Sequence, residues 1–142
     1  MKLKLEFEYL EKPLSALIEG SWEEIVCVSD IKVEEMLDDS VADQNSKAVL
    51  AHLPKEAWII NPIWNPKVGF FGAIRQVPDF RMPENLHSDL QRLQGLFQAT
   101  YNDDYPPDSG FKSAEEESDF LLEVAKWTSA LKSVLGENVE IA

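Results

Sequence analysis

Alternation opens the chain. Leu3, Leu5, Phe7 and Tyr9 interleave with Lys2, Lys4, Glu6 and Glu8, the two-residue period of a strand with one face in water and the other in a core. Pro13 fixes a backbone angle suited to a first helical turn, so Leu14 to Glu19 is expected as a short helix ended by Gly20. Glu24 to Ser29 then predicts a second, more buried strand. Ile31 to Leu37 suits a short helix, with Val33, Met36 and Leu37 apolar and Glu34 and Glu35 wet. Asp38 to Lys47 lacks any period and is rich in Asp, Ser and Asn, which predicts an exposed loop.

The middle of the chain carries short apolar runs, Ala57 to Ile60 and Val68 to Ile74, on either side of Asn61-Pro62 and Asn65-Pro66. A proline disfavours helical geometry at the residue before it, so both Asn residues are extended or in turns and the two runs are expected to form a hairpin across a stiff connection. Gly69 and Gly72 flank Phe70 and Phe71, and glycine within a strand marks a bulge or a close backbone approach. The last third changes period. Leu86, Leu90, Leu93, Phe97 and Tyr101 recur every three or four residues after Pro83, one apolar stripe of a helix, with Gly95 inside it. Two prolines and a glycine make Asn102 to Gly110 a loop. Ser113 and Glu116 then match a capping box, followed by a second stripe of Phe120, Val124, Trp127, Leu131 and Val134 or Leu135, with Gly136 as the stop. Val139 and Ile141 alternate in a short final strand or tail.

The absence of a regular strand-helix-strand rhythm favours antiparallel pairing. The expected fold class is α+β, a single globular domain over residues 1–142, with a small antiparallel sheet and two amphipathic C-terminal helices packed on one face. A chain of 142 residues with 44% hydrophobic content can bury a sizeable core. Four Trp, seven Phe and three Tyr separate it from acidic disordered tails. Cys27 has no internal partner and sits in the apolar run Ile25 to Val28, so it is expected as a small buried hydrophobe, and a reducing compartment follows. The N-terminus lacks an uninterrupted apolar stretch and no 18-residue apolar span occurs, which makes cytoplasmic localisation without membrane association the default expectation.

Charge changes the picture most. The net charge is −13, and it is regional: Glu19 to Asp43 holds nine acidic residues against Lys32, and Tyr101 to Glu123 holds eight against Lys112. Such a field attracts a basic partner and repels nucleic acid, so direct nucleic-acid binding is disfavoured. His52 and His87 have neither a Cys nor a second His at ligand spacing, so no metal site is expected. Asp103, Asp104 and Asp108 offer oxygen ligands without the spacing of a calcium loop. Carboxylate pairs such as Glu23-Glu24 lie in polar sequence, which does not separate an acid from a base, and no nucleophile or cofactor motif occurs. No catalytic residue is assigned and no cofactor is expected.

Acidity, size and the lack of catalytic motifs favour a non-enzymatic inhibitor that neutralises a basic protein partner, for example an immunity protein blocking a nuclease toxin. The expected partner-binding residues are Asp103, Asp104 and Asp108 with Tyr101 and Tyr105 beside them, then Asp38, Asp39 and Asp43. Two alternatives stand beside it. A DNA mimic, or anti-restriction protein, would need acids spaced like phosphates along one long face, and two separated windows meet that poorly. A small-ligand binder or enzyme would use a pocket lined by Trp58, Trp64, Phe70 and Phe71.

Overall fold

The structure is a computed structural model that describes residues 2–9, 11–31, 41–60, 64–65, 69–70, 74–77, 80–136 and 140–141. They fall into two compact units, residues 1–17 with 82–142, and residues 18–81.

In the first unit the alternating N-terminus forms β1 (Lys2–Leu5), which pairs antiparallel with β2 (Leu14–Ile18) in the register Leu3 opposite Ala16 and Leu5 opposite Leu14. The Glu6 N–H donates to the Pro13 carbonyl at 2.9 Å and carries the pairing one step further. β2 corrects the helix expected after Pro13. Leu14 and Ala16 are fully buried while Ser15 between them is only half-buried, so the segment is a strand by packing. The fixed proline angle is equally at home in extended backbone. Gly20 ends no helix either: Glu19 and Gly20 both take positive φ, 50° and 82°, the backbone of a tight turn.

The apolar alternation outlasts β1. Phe7 and Tyr9 lie beyond the strand yet stay half-buried while Glu6 and Glu8 are exposed. Glu8 hydrogen-bonds Glu11, and that bond, the like charge of Glu11 and some desolvation raise its carboxyl above the ordinary value, with Lys4 acting the other way. The two expected C-terminal helices are present as α2 (Glu84–Gln98) and α3 (Ala114–Leu135). Leu86, Leu90 and Leu93 from α2 and Phe120, Trp127 and Leu131 from α3 are buried, and the Trp127 indole N–H donates to the Leu86 carbonyl at 2.8 Å, joining the helices through a core hydrogen bond. The choice at the end of α3 falls on Leu135, because Val134 is 54% exposed. Glu140–Ile141, a final strand to be labelled β7, lies parallel to β1.

In the second unit β3 (Ser21–Cys27) pairs antiparallel with β4 (Trp58–Ile60), with Val26 opposite Ile59. A 3₁₀ turn at Val28–Asp30 takes the end of the expected second strand, although Val28 and Ser29 N–H groups still donate to the Ala57 and Lys55 carbonyls. The Asp38 to Lys47 loop is corrected from Val41 onward, where α1 (Val41–His52) begins. Its inward stripe is Ser46 and Leu50, continued by the half-buried Leu53, and it packs on Val26, Val28, Ala57 and Ile59. Among its described side chains the buried positions are a serine and a single leucine, which leaves little hydrophobic period to read. The expected helix at Ile31 to Leu37 lies outside the described residues.

The expected hairpin exists with shifted arms. β4 is met by residues 75–77, through Ile60 N–H to the Arg75 carbonyl and Val77 N–H to the Trp58 carbonyl, and nearer the tip β5 (Trp64–Asn65) pairs with β6 (Gly69–Phe70). The fold is α+β with antiparallel pairing in each unit and two helices in the C-terminal half. Among the described residues no helix is long and apolar enough to cross a membrane.

Candidate partner-binding site

The acidic stretch after α2 is a built loop. Thr100 ends the helix: its hydroxyl donates to the Phe97 carbonyl at 2.6 Å, which leaves the oxygen to accept from the Tyr9 hydroxyl at 2.7 Å. The Asn102 side-chain carbonyl then accepts the N–H groups of Asp104 and Tyr105 at 3.0 and 3.1 Å, an Asx-type turn. A 3₁₀ turn at Pro106–Asp108 follows, the Asn102 N–H donates to the Ser109 hydroxyl, and Gly110 N–H to the Thr100 carbonyl closes the loop at its base. Gly110 holds φ at 147°, a value glycine adopts freely. Ser113 caps α3 by accepting the Glu116 N–H at 3.1 Å, and Glu115, Glu116 and Glu117 fill the first turn, where the helix dipole favours them.

This scaffold brings Asp103, Asp104, Tyr105 and Asp108 together on one exposed loop. Tyr105 is 57% exposed and available as an anchor. Tyr101 is placed differently: it is half-buried against Tyr9, ring centroids 5.2 Å apart, as part of an aromatic seam that runs through Phe97, Phe7 and Phe120. Asp38 and Asp39 lie outside the described residues, and Asp43 falls on α1, of which only its backbone is described. Trp58 is 3% exposed and meets Phe80 edge-on at 5.5 Å in the core. Phe71 lies outside the described residues, as do the side chains of Trp64 and Phe70.

Beside the loop a groove of about 650 Å³ opens between the end of α2 and the start of α3. Its apolar floor is Leu96, Phe111 and Phe120. Asp108, Glu116, Asp119 and Glu123 stand around it with Lys112. The sequence pattern assigns Asp108 to partner binding, Glu116 to the helix start and Phe120 to the core stripe, and gives Leu96 no role. The usable signal was the spacing of Glu116, Asp119 and Glu123 at three and four residues, which lines carboxylates along one side of a helix. Among the described residues no group of three or more His, Cys, Asp or Glu is arranged to hold a metal ion.

No match was found among curated proteins. A family described as Serratia CdiI immunity protein-like matches residues 54–142, which take in the hairpin, α2, the acidic loop, the groove and α3. That is more than half of the chain, and the protein belongs to this Serratia CdiI immunity protein-like family.

Proposed function

We propose that the protein acts as an immunity protein of contact-dependent inhibition, binding a basic toxin and masking its cationic surface with the loop Asn102 to Gly110. Membership of the family supports a protein partner. The observation that carries the finer reading is that Asp103, Asp104 and Asp108 sit exposed on a hydrogen-bonded loop inside the matched residues, so their charges are held in place before a partner arrives. A nuclease suits such a surface, because its substrate-binding cleft must be positive to hold phosphates. Tyr105 is the side chain to anchor the complex once formed, while Tyr101 supports the loop from beneath. The window Glu19 to Asp43 lies outside the matched residues and ranks second.

The test starts from a captured partner that arrests growth when expressed alone and is rescued by co-expression of this protein. Reversing Asp103, Asp104 and Asp108 to Lys together should slow association about tenfold or more at low salt, with circular dichroism unchanged, because exposed charges act through steering. Tyr105→Ala should raise the dissociation rate instead. An affinity indifferent to salt between about 50 and 500 mM, where the screening length shrinks several-fold, would defeat the proposal.

A further inference from the structure

We infer that the groove between α2 and α3 is a receptor slot for one segment of the toxin, a stretch in which arginine or lysine alternates with aliphatic residues. The inference rests on the immunity reading for the identity of the partner, while the groove's own chemistry stands apart from it. Leu96 is the decisive residue. It lies on α2 yet is 45% exposed, off the stripe that Leu86, Leu90 and Leu93 bury, and it forms the groove floor with Phe111 and the buried Phe120. Phe111 and Phe120 sit with ring centroids 5.1 Å apart, so the floor is a fixed aromatic surface.

The rim decides what can enter. Glu123 is held by Arg92 at 3.1 Å across the two helices, and Lys112 offsets one further charge. Asp108, Glu116 and Asp119 are exposed, and with Lys112 counted they leave a surplus of two negative charges around an apolar base. An anionic or purely aliphatic occupant would leave those carboxylates repelled or desolvated without a partner. A side chain with an aliphatic stem and a cationic head satisfies both layers, the stem on Phe111 and Leu96 and the head among the carboxylates. The volume of about 650 Å³ falls within the size range of clefts that take a drug-sized ligand, room for a few side chains of a docked segment. Asp108 belongs both to the acidic loop and to the rim, so steering and seating share a residue.

The probe is a short fluorescein-labelled peptide of leucine and arginine, compared with a serine and arginine peptide of equal charge, each titrated by anisotropy against the full chain. The slot predicts saturable binding of the leucine and arginine peptide and about tenfold weaker binding of the serine version. Leu96→Ser should weaken the first peptide about tenfold, whereas Leu122→Ser, at a still more exposed leucine on α3 outside the groove, should leave it unchanged. Both substitutions fall at exposed helix positions, and circular dichroism checks that each variant is folded. Equal binding of the two peptides, or equal effects of the two leucine variants, overturns the slot and leaves the loop-based immunity proposal standing. Peptide binding at the slot in a protein that rescues no toxin overturns the immunity proposal instead.

Discussion

Two residues on neighbouring helices show how local chemistry sets stability with opposite signs. Ser113 satisfies a backbone donor that α3 would otherwise leave to water, and its removal should destabilise the protein by about 1 kcal/mol. Gly95 is the reverse case. It lies in α2 with ordinary helical φ, exposed, and a Cβ built there meets nothing within 4 Å, so it marks no close contact. Gly95→Ala should therefore stabilise by about 0.5–1 kcal/mol, mostly by restricting the unfolded chain. Urea unfolding of the two variants checks both signs in one experiment, and a Gly95→Ala variant weaker than the parent would mean that α2 needs the glycine's freedom.

At the scale of elements, what the sequence made legible follows from how many inward residues each segment carries. α2 and α3 were readable because each repeats at least three buried apolar residues at helical spacing, and β1 because its alternation continues past its last ladder residue to Tyr9. α1 was not, since among its described side chains Ser46 and Leu50 are the buried ones and a single aliphatic makes no period. β2 is not legible as a strand because a proline before a short apolar run carries the same local signal for a helix start and a strand start. The acidic loop was placed from sequence, but its groove was not: Leu96, Phe111 and Glu123 converge only after the helices pack. The aromatic seam is the element-level consequence that the N-terminal alternation foretold. Phe7 meets Phe97 and Phe120 at centroid distances of 5.7 and 5.2 Å, so Phe7→Asp should place an unpaired charge in that seam and destabilise by about 2–4 kcal/mol. Glu8→Asp, one residue along on the wet side, should leave the urea midpoint nearly unchanged, and equal tolerance at both positions would detach the segment from the core.

For the whole molecule, a net charge of −13 opposes the compact state, because like charges brought together on folding repel more than along an open chain. The described ion pairs, among them Lys4 with Glu6 and Arg92 with Glu123, involve exposed side chains and offset little of that repulsion. The acids on the loop Asn102 to Gly110 are therefore a stability burden that a binding role would justify, a common exchange at interaction surfaces. This makes a prediction about the free protein that needs no partner. The triple reversal of Asp103, Asp104 and Asp108 to Lys should be at least as stable as the parent at about 10 mM salt, and the parent should close the gap at about 500 mM, where the screening length falls from roughly 30 Å to a few ångströms. Urea midpoints at the two salt concentrations measure it. A variant less stable than the parent at low salt would show that these carboxylates hold the loop together, and their place at the centre of the interface would have to pass to the groove.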